Sequence, residues 1–144
     1  GSVSVELALA APEGQVYAVE RNEDAQALIL ENRRKFGLHN LTLIAGAAPE
    51  ALAGLPAPDR VFVGGTGGHM AETLAAVRAA NPAARVVISA IAIESLSAAL
   101  AALQAQGFEN IQVSQISVSR SRPAGGLHLM MAQNPVYLIS GGAL

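Results

Sequence analysis

Four groups of residues combine useful chemistry with useful spacing. Glu20 closes the mostly apolar run 15–20. A carboxylate at the end of a buried strand offers two acceptor oxygens, which match the two hydroxyls of a ribose. A solvated strand-end acid has the same pattern. Gly46-Ala47-Ala48-Pro49 closes the next apolar run, 41–44. Its small residues leave room for a flat adenine, whose edge backbone N–H and C=O groups can read; a plain loop would look alike. Gly64-Gly65-Thr66-Gly67-Gly68 follows the apolar run 61–63 and leads directly into a helical pattern. Glycine allows a sharp turn or a close approach of backbone to ligand, and strand, glycine loop, helix is the layout of a ligand-binding edge in an open α/β sheet. A tight turn with no ligand is the competing reading. Arg120 and Arg122 flank a serine in a stretch that reads as a loop, 120–126. Guanidinium forks suit carboxylates and stack on flat rings, although most such arginines are solvated.

The remaining reactive groups are sparse. His69 and His128 are candidate acid–base groups, and His39, after a helix stop, reads as surface. No His/Cys/Asp/Glu set has metal-ligand spacing, and there is no Walker loop and no Gly-x-Ser-x-Gly elbow. The absence of cysteine rules out disulfides and thiolate catalysis and fits a reducing, cytoplasmic compartment. A net charge of −2 and 3% aromatics give no electrostatic or stacking support for nucleic acid. No apolar run approaches bilayer length. With 51% hydrophobic and 14% charged residues in 144, the chain is expected to fold as one soluble domain, 1–144.

The elements that must position these groups follow from apolar periodicity and punctuation. Residues 3–10 read as a helix with Val3, Leu7 and Ala10 inward, stopped by Pro12 and Gly14. Gly1 stands where the last glycine of a phosphate-type loop would open that helix, and Gly1-Ser2 also reads as an expression scar. A strand over 15–20 is followed by the Arg21-Asn22 turn, with Asn22 as N-cap. Glu23 and Asp24 open the next helix and Arg33, Arg34 and Lys35 close it, both in accord with the helix dipole. Ala25, Leu28, Ile29 and Phe36 make its expected buried stripe, and Gly37 its stop. A strand 41–44, a short helix 50–55, a strand 60–63 and a helix from Met70 to about Ala80 follow, the last with Met70, Leu74 and Val77 inward. The run 85–93 reads as a long strand covered on both faces. Then come a helix 94–106 with Leu96, Leu100 and Leu103 inward, a strand 110–119 with a bend where its alternation slips, and extended pieces 127–131 and 135–140. Alternating strands and helices imply a Rossmann-like, mostly parallel α/β sheet. The last two pieces, with no helix between them, are expected to pair as an antiparallel hairpin.

Residues 16–22, 46–52, 63–68, 89–94 and 130–136 occur together and in order, and in this combination the chain resembles the T subunit of the decarboxylating precorrin-6Y C5,15-methyltransferase family, from Gly1 to about Gly141. The Gly-Gly-Thr-Gly-Gly loop and the Asn134-Pro135-Val136 end are the specific parts; Val16 to Glu20 is general to class I methyltransferases. The resemblance implies the class I sheet with an antiparallel last strand. It implies transfer of a methyl group from S-adenosyl-L-methionine to C15 of a precorrin, a reduced tetrapyrrole, with loss of CO2 from the C12 acetate, in cobalamin biosynthesis. It also implies a homo-oligomer, often a tetramer, and a C5-methyltransferase domain, fused or separate. Carried onto this chain, it puts Gly1 at the end of the cofactor loop, Glu20 with Arg21 beside it at the ribose, Ala47 and Ala48 against adenine, and Gly64 and Gly65 at the cofactor. Thr66, Gly67 and Gly68 would face the tetrapyrrole, and Arg120 and Arg122 would lie near its carboxylates. Relatives begin with Asp-x-Gly-x-Gly-x-Gly and the first, central strand, so upstream residues are expected to precede Gly1. Ala47 stands where relatives often carry Asp, and His69 where some carry Glu; no catalytic base is assigned. The residues by themselves leave open another small-molecule methyltransferase, a nicotinamide-dependent oxidoreductase, and a non-catalytic assembly domain.

Overall fold

The computed structural model describes residues 1–143 and divides them into two compact units, Gly1–Leu55 and the chain from Pro56 onward. In the first unit, helix α1 (Ser2–Ala10) precedes strand β1 (Val16–Glu20), helix α2 (Glu23–Lys35) and strand β2 (Leu41–Ala45), and a single 3-10 turn follows at Glu50–Leu52. β1 and β2 pair in parallel, Val16 with Leu41 through Glu20 with Ala45. Parallel neighbours need a crossover, and α2 supplies it. Its ends are defined by local chemistry. Asn22 caps it, its side chain accepting from the Ala25 N–H at 2.9 Å. Gly37, at φ +63°, closes it: the Leu38 N–H returns to the Arg33 carbonyl and the Gly37 N–H to that of Arg34. That paired closure is the Schellman arrangement.

The core of this unit is Val5, Ala8, Ala18, Ile29, Leu38 and Leu41. It corrects two expected faces. On α1 the buried residues are Val5 and Ala8, whereas Val3 and Leu7 are exposed. This helix is apolar on every side, so spacing does not single out a face and packing against α2 and the sheet decides. On α2, Ile29 is buried but Leu28 and Phe36 are exposed. Half-buried Ala25, Asn32 and Arg33 share the face of Ile29, as a 3.6-residue period requires; Phe36 is already the C-cap.

The second unit is built on a four-stranded sheet of order β3-β4-β8-β5, from β3 (Arg60–Val63), β4 (Arg85–Ala90), β5 (Gln112–Ile116) and β8 (Val136–Gly141). β3 and β4 are parallel, joined through helix α3 (Met70–Ala80). β8 runs antiparallel between β4 and β5. Helix α4 (Ile93–Ala105) connects β4 to β5 and ends in a second Schellman closure at Gly107, φ +68°. Leu74, Val86, Ile88, Leu103 and Ile139 are fully buried.

Here the structure departs from the sequence reading in four places. The strand from Arg85 stops at Ala90, and Ile91 and Ile93 are exposed, Ile93 opening α4. The stretch expected to be a loop at 120–126 is strand β6 (Ser119–Ala124), and it pairs antiparallel with β7 (Leu127–Ala132) as a separate two-stranded ribbon. Gly125 and Gly126, at φ +57° and +79°, form the two-residue turn between them, the conformation that matches strand twist in a hairpin. β6 has no apolar alternation to announce it, and Pro123 is tolerated because a two-stranded ribbon has free edges. Finally, 135–140 does not pair with 127–131. The antiparallel last strand is present, but its neighbours are β4 and β5, and the hairpin is β6–β7. The bend expected within 110–119 is a break at 117–118, between β5 and β6.

Candidate functional site

In the first unit the parallel pairing fixes the geometry. Glu20 and Ala45 are register partners at the carboxyl ends of β1 and β2, and the Gly46 N–H donates to the Glu20 carbonyl at 3.0 Å. The strand-end acid and the small-residue turn are therefore adjacent. Glu20 is half-buried; its Oε1 accepts the Asn22 N–H at 2.9 Å, and Gln26 Nε2 donates to its carbonyl at 2.8 Å. One carboxylate oxygen is thus held by the start of α2, which orients the group and leaves Oε2 for a ligand. The turn is shaped by Gly46 at φ +143° and by the Ala51 N–H donating to the Ala47 carbonyl at 2.9 Å. Ala47 is exposed and Ala48 half-buried. Arg21 is exposed beside Glu20.

Gly1 lies toward the same edge. The Asn40 side chain donates to the Ala8 and Ala11 carbonyls at 3.0 and 2.8 Å, and the Asn40 carbonyl accepts from the Val16 N–H. The C-terminal end of α1 is thereby tied to the beginnings of both strands. Its other end, with Gly1 as N-cap, points back along them. Gly1 packs so closely on α2 that an added Cβ would stand 2.5 Å from Ile29 Cγ1. Gln26 and Asn40 were not singled out from sequence; a polar residue at the first turn of a helix and another just before a strand are the only signals they give.

In the second unit the glycine loop leaves the carboxyl end of β3, with Gly67 and Gly68 at φ +59° and +101° and the His69 N–H returning to the Thr66 carbonyl at 3.2 Å. No atom stands within 4 Å of a Cβ built at Gly65 or Gly68. The four glycines are exposed and Thr66 half-buried. The His69 side chain makes no cap bond to α3. β5 is parallel to β3 and β4, because β8 is antiparallel to both β4 and β5. The ribbon bearing Arg120 and Arg122 therefore leaves the sheet at the same carboxyl edge as the glycine loop. The structure puts Arg120 and Arg122 on strand β6, where sequence put them in a loop. Among the described residues there is no group of three or more His, Cys, Asp or Glu suited to a metal ion, and no helix long and apolar enough to cross a membrane.

Residues 1–141 match the model of the precorrin methyltransferase domain family. The chain belongs to that family. It is 38% identical to the decarboxylating cobalt-precorrin-6B C(15)-methyltransferase of Salmonella typhimurium, over 97% of this chain and 72% of that protein. Among solved structures it is similar to the precorrin-6Y C5,15-methyltransferase of Geobacter metallireducens, with a TM-score of 0.90 and 34% identity over 99% of this chain and 74% of the other. The precorrin 8W decarboxylase of Methanobacterium thermoautotrophicum gives a TM-score of 0.88 at 34% identity, over 99% and 76%. The fold is that of the class I methyltransferases, with parallel strands and an antiparallel last strand. Family and fold both agree with the resemblance carried by the sequence motifs.

Proposed function

We propose that this chain methylates C15 of a precorrin with S-adenosyl-L-methionine and removes CO2 from the C12 acetate, within cobalamin biosynthesis. The reading rests on the family match across 1–141, together with the half-buried, oriented carboxylate of Glu20 at a strand edge. Relatives that align over nearly the whole chain are named for this reaction, and one solved neighbour is named as a decarboxylase.

The residues present fit the donor. Glu20 Oε2 would accept from the ribose hydroxyls, with Arg21 beside it, while Ala47 and Ala48 leave space for adenine. Gly1 would take the backbone approach at the start of α1, and the family resemblance assigns Gly64 and Gly65 to the donor as well. Thr66, Gly67 and Gly68 would face the acceptor. When bound, the donor supplies an electrophilic methyl group on a sulfonium. The protein's own contribution is positioning, which can lower a barrier by up to about 7–11 kcal/mol in well-oriented cases. An electron-rich tetrapyrrole carbon needs no general base, and the conjugated ring takes up the charge left by CO2 loss; no side chain is assigned to proton abstraction. The whole chain acting as one domain, a cytoplasmic location, and partnership with a C5-methyltransferase domain belong to the same proposal. So does assembly as a homo-oligomer, a tetramer by resemblance. The exposed edge strand β5, with Val113 and Ile116 open to solvent, supports assembly.

The test is incubation of the protein with S-adenosylmethionine and precorrin-6B, cobalt-containing and metal-free in parallel, following S-adenosylhomocysteine and CO2. Equimolar release of both is expected from one of the two substrates. Methyl transfer to an unrelated acceptor, with none to either precorrin, would remove this reading.

A further inference from the structure

Turning an acetate into a methyl group takes a proton that the carboxylate cannot bring. The bond between the C12 methylene and its carboxylate breaks, its electron pair passes into the conjugated ring, and CO2 leaves. The methylene then becomes a methyl group only by taking up a proton on carbon. C15 exchanges a hydrogen for its methyl group and releases a proton, so the turnover as a whole is proton-neutral. Release and uptake fall on different carbons, and uptake at C12 needs an acid within reach. That acid has to stand where the acceptor does, at the carboxyl edge of β3 that carries the glycine loop, because C12 lies in the ring next to C15.

The glycine loop brings one there. Thr66 and His69 are the outer residues of a turn whose central residues, Gly67 and Gly68, both have positive φ, and the His69 N–H closes it on the Thr66 carbonyl at 3.2 Å. The outer residues of such a turn lie within about 7 Å of each other. The end of the loop is thereby folded back beside Thr66. The His69 ring is exposed and makes no cap bond to α3. The other ionisable side chains of this edge are Glu72 and Glu94 in the first turns of α3 and α4, Tyr137 opposite Ala90 at the end of β4, and the arginines of the ribbon. Near neutral pH carboxylates have lost their proton and phenols and guanidiniums keep theirs, whereas imidazole is the side chain that exchanges one. His128 opposes Pro123 near the ribbon's tip, roughly 13 Å along the strand from its base at Ala132. His39 belongs to the first unit.

We propose that His69 gives the C12 methylene its proton. An N–H bond of the imidazolium breaks, a C–H bond forms on the methylene, and the proton released by C15 restores the imidazolium through water. Protonation also makes the loss of CO2 irreversible, because the electron pair that CO2 would recapture is then held in a C–H bond. The inference rests on the tetrapyrrole reading above and adds a role for a residue that methyl transfer does not use.

Wild type, His69→Ala and His128→Ala are compared for S-adenosylhomocysteine and CO2 release from precorrin-6B, in whichever cobalt state is turned over. Wild type and His128→Ala should release the two in equal amounts. In His69→Ala, CO2 release should fall about 100-fold while S-adenosylhomocysteine release changes less than about threefold, and the methylated ring that keeps its carboxyl group should accumulate. Added imidazole should restore CO2 release in His69→Ala in proportion to its concentration and leave wild type unchanged, which it would not do for a merely structural loss. Contact is read without turnover by proton NMR. The chain has three histidines, so the His69 Cε1–H resonance is assigned by its absence from the His69→Ala spectrum. It should shift when precorrin-6B is added in the presence of S-adenosylhomocysteine. Equal release of the two products by His69→Ala overturns the assignment and leaves the methyltransferase reading standing. So does an equal loss of both that imidazole does not repair, uncoupling by His128→Ala instead, or a His69 resonance that does not move. A wild-type protein that releases neither product from either precorrin overturns the methyltransferase reading itself.

Discussion

Replacing Glu20 separates the role of its carboxylate from any effect on folding. Oε1 accepts the Asn22 N–H at 2.9 Å in an exposed position. Removing the acceptor there hands the N–H to water, so the loss in stability should stay within about 0.5–1.5 kcal/mol. The helix start survives independently, because Asn22 caps α2 through its own side chain to the Ala25 N–H. The ligand term is larger. A hydrogen bond to a charged group contributes about 1.5–3 kcal/mol, so Glu20→Ala should raise the Kd for S-adenosylhomocysteine about 10- to 150-fold. Glu20→Gln keeps the Asn22 contact but has neither the charge nor a second acceptor, and should fall near the lower end. The assay is calorimetric titration, repeated with an analogue lacking both ribose hydroxyls, for which wild type and variants should bind alike. A Glu20→Ala protein with a normal unfolding curve and an unchanged Kd for S-adenosylhomocysteine would refute the ribose assignment.

Other expectations follow from single distances and angles. Gly65→Ala meets nothing within 4 Å, so urea unfolding should be unchanged within about 0.5 kcal/mol; weaker S-adenosylhomocysteine binding would mark the open space as the ligand's. Gly142→Ala drives a Cβ against the Ala84 carbonyl oxygen and to 2.9 Å from the Arg85 Cα, on a backbone with φ +120°, and should destabilise by roughly 2–5 kcal/mol from strain and overpacking together. A near-wild-type urea midpoint would show that the end of β8 can shift. Ile139→Ala, at a fully buried position beside β4 and β5, should cost about 2–5 kcal/mol. Asn22→Ala should cost about 1 kcal/mol through the lost cap, with circular dichroism reporting the helix content.

The residues alone determined the elements whose signals are local. Asn22, the acidic first turn and Gly37 mark α2 at both ends, because capping and dipole effects are settled within one helical turn. The alternation of strands and helices, the glycine loop after β3 and the strand-end position of Glu20 were legible for the same reason, and the ordered motifs gave the family. Tertiary structure decided what depends on partners distant in the chain. Which face of apolar α1 is buried depends on Ile29 and Leu41, and no periodicity inside Ser2–Ala10 encodes them. The last strand, Val136–Gly141, pairs with β4 and β5 instead of its neighbour in sequence. Pairing is a long-range choice made by burying Ile139 between two strands. Arg120 and Arg122 read as loop residues because Ser-Arg-Ser-Arg-Pro has no apolar alternation. Two glycines at positive φ and a partner strand turned them into one face of a ribbon.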